Sequence, residues 1–400
     1  MAIVPFMMLA SASLMQSCIE EDLPTGSATT SQLDNAKDPG KIMVNGLNAM
    51  MVDQFTYNGD ELAYDWGYPC QMMLRDILGG DEPVSDSGYD YLYWIADGTS
   101  LSTFALYTYS YYYDLICNAN NVVAKYGTDE SDNKAYAGAA LAYRALAYLD
   151  MARMFEYKTT GFTDLDAKAT KNNVMGLTVP IVTEKTTAQE SKNNPRVPFY
   201  TMYRFIMNDL NTAETDLKGF LRDVKSMPDE SVVYGLKARL WLEMASRFDK
   251  NPDDLATLLS HEDDADGYAK IGISTANDCY AKAAEYAQKA MALDGYTPLT
   301  NNEWHNEKTG FNKANQAWMW AASMGTKEML TNYWYSWLCF MASEAPGITW
   351  GGYGTYRGID KALFDKMPDA DWRKTSWVAP GDAGKAAIPS KYKTILTEEE

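Results

Sequence analysis

Asn133–Glu156, NKAYAGAALAYRALAYLDMARMFE, is the stretch from which the architecture of the chain can be read. It carries eight alanines between Ala135 and Ala152, with Leu141, Leu146, Tyr148 and Met151 set among them. Alanine is the strongest helix former, and its small side chain lets a neighbouring helix come close. The stretch therefore predicts a long helix with a close helical neighbour. Upstream, Tyr107–Tyr126 reads as that neighbour, and the link GTDESDN supplies Gly127 as a stop and Asp and Ser as a start for the next helix. The two make a helical hairpin.

Further along, Arg196–Leu217 places Tyr203, Ile206, Leu210, Ala213 and Leu217 three or four residues apart, the spacing of one helix face. Ser231–Arg247 does the same with Val233, Leu236, Leu240 and Met244. Within Asp278–Asp294, CYAKAAEYAQKAMALD sets Ala283, Ala287 and Ala290 ahead of Leu293, as in the second helix of a tetratricopeptide repeat. The fold class expected is mainly α, with tetratricopeptide-repeat-like helix pairs and an irregular, loop-rich C-terminal region. Residues 58–93, 158–194 and 249–277 read as long irregular pieces, and past Thr300 the pattern turns to aromatic and Gly-rich loops.

The composition, 46% hydrophobic and 22% charged over 400 residues, is that of a chain with a large core. A net charge of −19 repels a polyphosphate backbone, so nucleic acid is excluded as a partner. Cysteines at 18, 70, 117, 279 and 339 form no CxxC pair and give neither a zinc ribbon nor a disulfide framework. With 28 Tyr against 12 Phe, and 11 Trp, many rings carry a polar handle suited to half-wet recognition surfaces, although those of Tyr107–Tyr113 read as core.

The first residues, MAIVPFMMLASASLMQS, contain no charge, fall short of the ~20 residues that span a bilayer, and end in small residues before Cys18. They read as an export signal over 1–17. LMQSC is a loose lipobox that makes Cys18 the expected lipidation site; Gln16 and the missing basic n-region depart from the pattern. Residues 18–40, opening IEEDLPTGSATTSQ after Cys18, have tether composition. The helical region is expected over 41–298 and the loop-rich C-terminal region over 299–400.

In order, YDLICNANNVVAKYG, the Ala-rich helix with YRALAYLDMARMFE, GLTVPIV, RVPFYTMYRFIMNDLNTAETDL, YGLKARLWLEMAS and YAKAAEYAQKAMALDGYTPLT resemble the SusD/RagB family of outer-membrane nutrient-binding lipoproteins. FDKMPDADWRKTSW, residues 364–377, is similar to the family segment in which an Asp precedes an Arg. The resemblance implies a non-catalytic, lipid-anchored protein on the cell surface at the outer membrane, without cofactor. It would capture oligo- or polysaccharide and deliver it to a SusC-like TonB-dependent transporter. Family members continue well past the length of this chain, so a truncated C-terminal region is expected. The alternative is a helical-repeat lipoprotein that binds peptide or protein and no glycan.

A sugar offers an apolar C–H face and a rim of hydroxyls, so its binder needs flat rings edged by amides or carboxylates. Trp66, Tyr93, Trp94, Trp334, Trp350, Tyr353 and Tyr356 are the candidate ligand-binding rings. TWGGYGTYRG in particular sets rings among glycines, where helix packing does not explain them. Enzyme chemistry has little material: His261 and His305 are the sole histidines, and no HExxH or GxxxxGK[ST] is present. HEDDADG offers Asp263, Asp264 and Asp266 as oxygen ligands for calcium but lacks the EF-hand spacing, and no metal site is assigned.

Overall fold

A computed structural model describes residues 35–52, 67–83, 101–128, 133–306, 314–322 and 358–377. The helices are α1 (Pro39–Val52), α2 (Gly67–Gly79), α3 (Leu101–Tyr126), α4 (Lys134–Phe155), α5 (Thr163–Lys171), α6 (Ala188–Ser191), α7 (Phe199–Asp216), α8 (Glu230–Lys250), α9 (Pro252–Ser260), α10 (Ala276–Asp294), α11 (Asn301–Trp304) and α12 (Lys361–Lys366). A 3-10 turn, Trp372–Ser376, follows. Among the described residues there is no strand, only isolated bridges pairing Tyr157 with Met175 and Leu177 with Pro198. The chain is helical, as its patterning predicts.

The long helices stack in sequence order, α3 on α4, α4 on α7, α7 on α8 and α8 on α10, with α1 against α3 and α4. Each mostly touches its neighbours, the logic of a repeat stack. At its centre α4 is buried on every side, from Ala137 to Ala152 without interruption. Its alanines permit this. Gly138 marks the closest approach, since a Cβ there would sit 2.9 Å from Leu217 Cγ and 3.0 Å from Asp216 Cβ. The predicted faces of α7 and α8 are buried throughout, while on α10 Cys279, Ala283 and Ala290 are buried and Leu293 stays exposed.

The stretches read as irregular are corrected in part: 58–93 contains α2, 158–194 contains α5 and α6, and 249–277 contains α9. The backbone of the GLTVPIV segment finds its partners on the helices it crosses. Tyr113 donates to Pro180 O (2.6 Å), Asn120 to Val182 O (3.1 Å), and the Tyr148 hydroxyl both donates to Val182 O and accepts from Val182 N. Several tyrosines among the described residues are thus structural, Tyr107, Tyr111 and Tyr112 in the core as their stretch predicts. Tyr107, Tyr112, Tyr143, Tyr148 and Tyr203 are among the largest fully buried side chains, and several of their hydroxyls bond across helices.

Arginines, of which Arg144 and Arg204 are buried, join the helices to one another and to the loops. Arg144 of α4 meets Asp209 of α7 through two bonds of 2.7 and 2.8 Å, and also reaches Asn120 and Glu184. Arg75 and Arg239 flank Asp150, which also accepts from Tyr112. Arg247 pairs with Glu156 and Asp254. Arg204, fully buried, holds the acidic loop through Asp266 and the carbonyl of His261. A charge withdrawn from water is tolerated only when paired and hydrogen-bonded in this way.

Candidate functional site

The site forms where two C-terminal segments meet the end of the helical stack. Residues 314–322 dock on the link between α7 and α8. Ala321 N donates to Lys225 O (3.0 Å), the Trp320 indole to Ser226 O (3.0 Å), and Lys225 Nζ to the carbonyls of Asn315 and Trp318. Trp320 packs edge-on against Tyr143 of α4, 4.9 Å between ring centroids. This strip is therefore fixed to α4, the most buried helix among the described residues.

Beyond α10, which ends at the left-handed Gly295, Thr300 opens α11 with a capping box completed by Glu303. Glu303 also accepts from the Gln316 amide (3.0 Å), so the short helix is tied to the docked strip. These bonds set the position of Trp304. From the other segment, Asp360 N donates to Asp81 O at the end of α2, Asp360 caps α12, and Phe364 is buried beneath it. Lys374 reaches back to Met367 O and Asp369 and lies 4.9 Å over the Phe364 ring. The 3-10 turn is thereby held at its base.

Trp304, Trp318 and Trp372, all half-buried, converge with Pro298, Leu299, Ala317 and Ala370 on a cleft of 670 Å³. That volume lies within the range of small-molecule sites. Trp304 and Trp372 stand 5.9 Å apart at 65°, and His305 meets Trp372 with the same spacing and angle. The Trp304 indole donates to Ser376 Oγ (3.1 Å) and so bridges the two segments. Asp371 caps the turn and accepts from Arg373 Nε at 2.9 Å and Nη2 at 2.6 Å. The hydrogen bonds and charge of Arg373 hold the Asp371 carboxyl below the usual carboxylate range. The cleft combines apolar rings with a rim that both donates and accepts, the chemistry a pyranose requires.

The candidate rings Trp66, Tyr93, Trp94, Trp334, Trp350, Tyr353 and Tyr356, and the lipidation candidate Cys18, lie outside the described residues. Trp304, Trp318 and Trp372 were not singled out by the sequence. The available signals were the capping box at Thr300 and the Asp371–Arg373 spacing within the family-like segment. Elsewhere, Asp263 pairs with Lys270, Asp264 with His261 and Asp266 with Arg204, so the acidic loop sends its three carboxylates to three different partners. Among the described residues no group of three potential metal ligands assembles, and no helix is long and apolar enough to cross a membrane.

No protein-family model and no curated protein matches the sequence. Solved structures do. A SusD-like carbohydrate binding protein from Bacteroides vulgatus aligns with a TM-score of 0.59 at 20% identity, over 84% of this chain and 59% of that one. A SusD superfamily protein from Bacteroides fragilis gives 0.53 at 16%, over 89% and 71%. Surface glycan-binding protein A from Bacteroides thetaiotaomicron, in complex with laminarihexaose, gives 0.50 at 13%, over 89% and 67%. The chain thus spans about three fifths of the first of these proteins. At such identities the likeness is one of architecture, and the architecture is the SusD-like fold.

Proposed function

We propose that this chain is a non-catalytic glycan-binding protein of the cell surface, and that the Trp304–Trp318–Trp372 cleft is part of its binding surface. The observation that carries the reading is the convergence of three tryptophans and an Asp–Arg rim at one cleft of a SusD-like scaffold. Two proteins of similar fold bear names that state carbohydrate or glycan binding, which supports the same ligand class. Trp66, Tyr93, Trp94, Trp334, Trp350, Tyr353 and Tyr356 extend the aromatic surface in this reading. Cys18 carries the lipid that holds the protein at the outer membrane, and captured saccharide passes to a SusC-like TonB-dependent transporter.

Calorimetry of the purified chain against a panel of oligosaccharides tests the binding reading. A ligand whose affinity falls on Trp372→Ala is expected; a folded protein that binds no saccharide overturns it. Fatty-acid labelling in cells, with Cys18→Ala as the comparison, tests the anchor, and an unlabelled wild-type chain removes it.

A further inference from the structure

Resting on the reading that the cleft takes glycan, we propose that it selects neutral glycans over acidic ones, and that Asp371 sets this preference by occupying Arg373. Among the described residues the cleft has two charged lining residues, Asp371 and Arg373, and they are bonded to each other. Two of the three guanidinium nitrogens, Nε and Nη2, are directed at the carboxylate, and among the described residues Nη1 alone has no partner. Of the two edges by which a guanidinium fork grips a carboxylate or sulfate in bidentate fashion, the Nε–Nη2 edge is already filled, and the charge of Arg373 is shared with Asp371.

A neutral hexose is well matched to this rim, because each hydroxyl accepts as well as donates. It can take a hydrogen bond from Arg373 Nη1 and give one to Asp371 without separating the pair. A uronate ring brings its own carboxylate beside Asp371, meets among the described lining residues only the Nη1 side of a cation already shared with that aspartate, and loses part of its hydration. The net charge of −19 adds a general repulsion. Charges farther off than about 8 Å are screened at physiological salt, so the local pairing decides the selectivity.

The test uses the full chain, with laminarihexaose, cellohexaose and maltohexaose as neutral probes and hexagalacturonate as the acidic one, titrated calorimetrically. Wild type is expected to bind hexagalacturonate at least about tenfold more weakly than its best neutral probe, the scale of one uncompensated like-charge contact. Asp371→Asn frees the fork, and asparagine still caps the turn by accepting from Arg373 N. This variant is expected to gain roughly tenfold for hexagalacturonate. Arg373→Gln, which removes the fork, is expected to gain nothing. Wild-type binding of hexagalacturonate as tight as that of the best neutral probe overturns the proposal while leaving glycan binding intact. A folded Asp371→Asn without the gain overturns the role of Asp371. Should no probe bind the folded wild type, the glycan reading of the cleft falls with it.

Discussion

The Arg144–Asp209 pair between α4 and α7 and the Arg373–Asp371 pair at the mouth of the tryptophan cleft have almost the same bond lengths. Their surroundings differ. The side chains of the first pair are 4% and 3% exposed, and those of the second 61% and 20%. Sealed from water, the first cannot be broken without stranding a charge, and so it fixes how two helices meet. The second keeps its water, contributes little to folding, and remains available to a ligand. One geometry thus serves the scaffold in one place and, in the proposed reading, recognition in the other, with burial deciding which.

The largest effect is expected inside the scaffold. Arg144→Ala leaves Asp209 and Glu184 without their cation, and should lower stability in chemical denaturation by about 3–5 kcal/mol. A small loss would mean that the interior pair resembles the rim pair after all. Gly138→Val drives side-chain atoms into Leu217 and Asp216, and about 1–3 kcal/mol is expected from overpacking. Retention of full stability would show that α4 and α7 can move apart cheaply.

At the cleft the effect should appear in binding instead. Trp372→Ala is expected to weaken the bound oligosaccharide at least about tenfold while leaving the denaturation midpoint near that of wild type. Equal losses of stability and binding would make Trp372 a packing residue.

Acid should separate the regions further. Burial pushes the Glu184 carboxyl up, but the hydrogen bond and charge of Arg144 outweigh this and hold it below its ordinary 4.5. A depressed carboxylate stabilises above its unfolded value and loses that contribution as pH falls through the folded one. The stability advantage of wild type over Glu184→Gln should therefore persist down to pH 4.5 and fade below it. A gap that widens in acid would reverse the assignment. The smallest effect belongs to Arg373→Ala, for which no shift of the denaturation midpoint is expected. A clear drop would show that the rim pair supports the fold.

Where helices would form was legible because it depends on local pattern. Alanine density foretold α4, and the three-and-four spacing foretold the buried faces of α7 and α8. Helix α2 was passed over although Cys70, Met73, Leu74 and Ile77 have the same spacing, since Gly67 and Pro69 read as loop. Proline is tolerated in a first turn, where its missing N–H has no helical partner to lose. Tyr107, Tyr111 and Tyr112 lie in the core as read, but composition alone does not sort the other tyrosines, because a hydroxyl suits a wet surface and a buried carbonyl equally well.

The sequence by itself determined that the chain is a stack of helices with a family-like order of segments, because helix periodicity and small-residue packing are carried by residues close together in the chain. Only the tertiary structure decided where its charges and rings act. Trp304, Trp318 and Trp372 come from three separate segments, and Asp371 was a rim residue rather than a core one only once its surroundings were built. Burial sets the cost of a charge and the reach of a ring, and burial is a property of the folded whole.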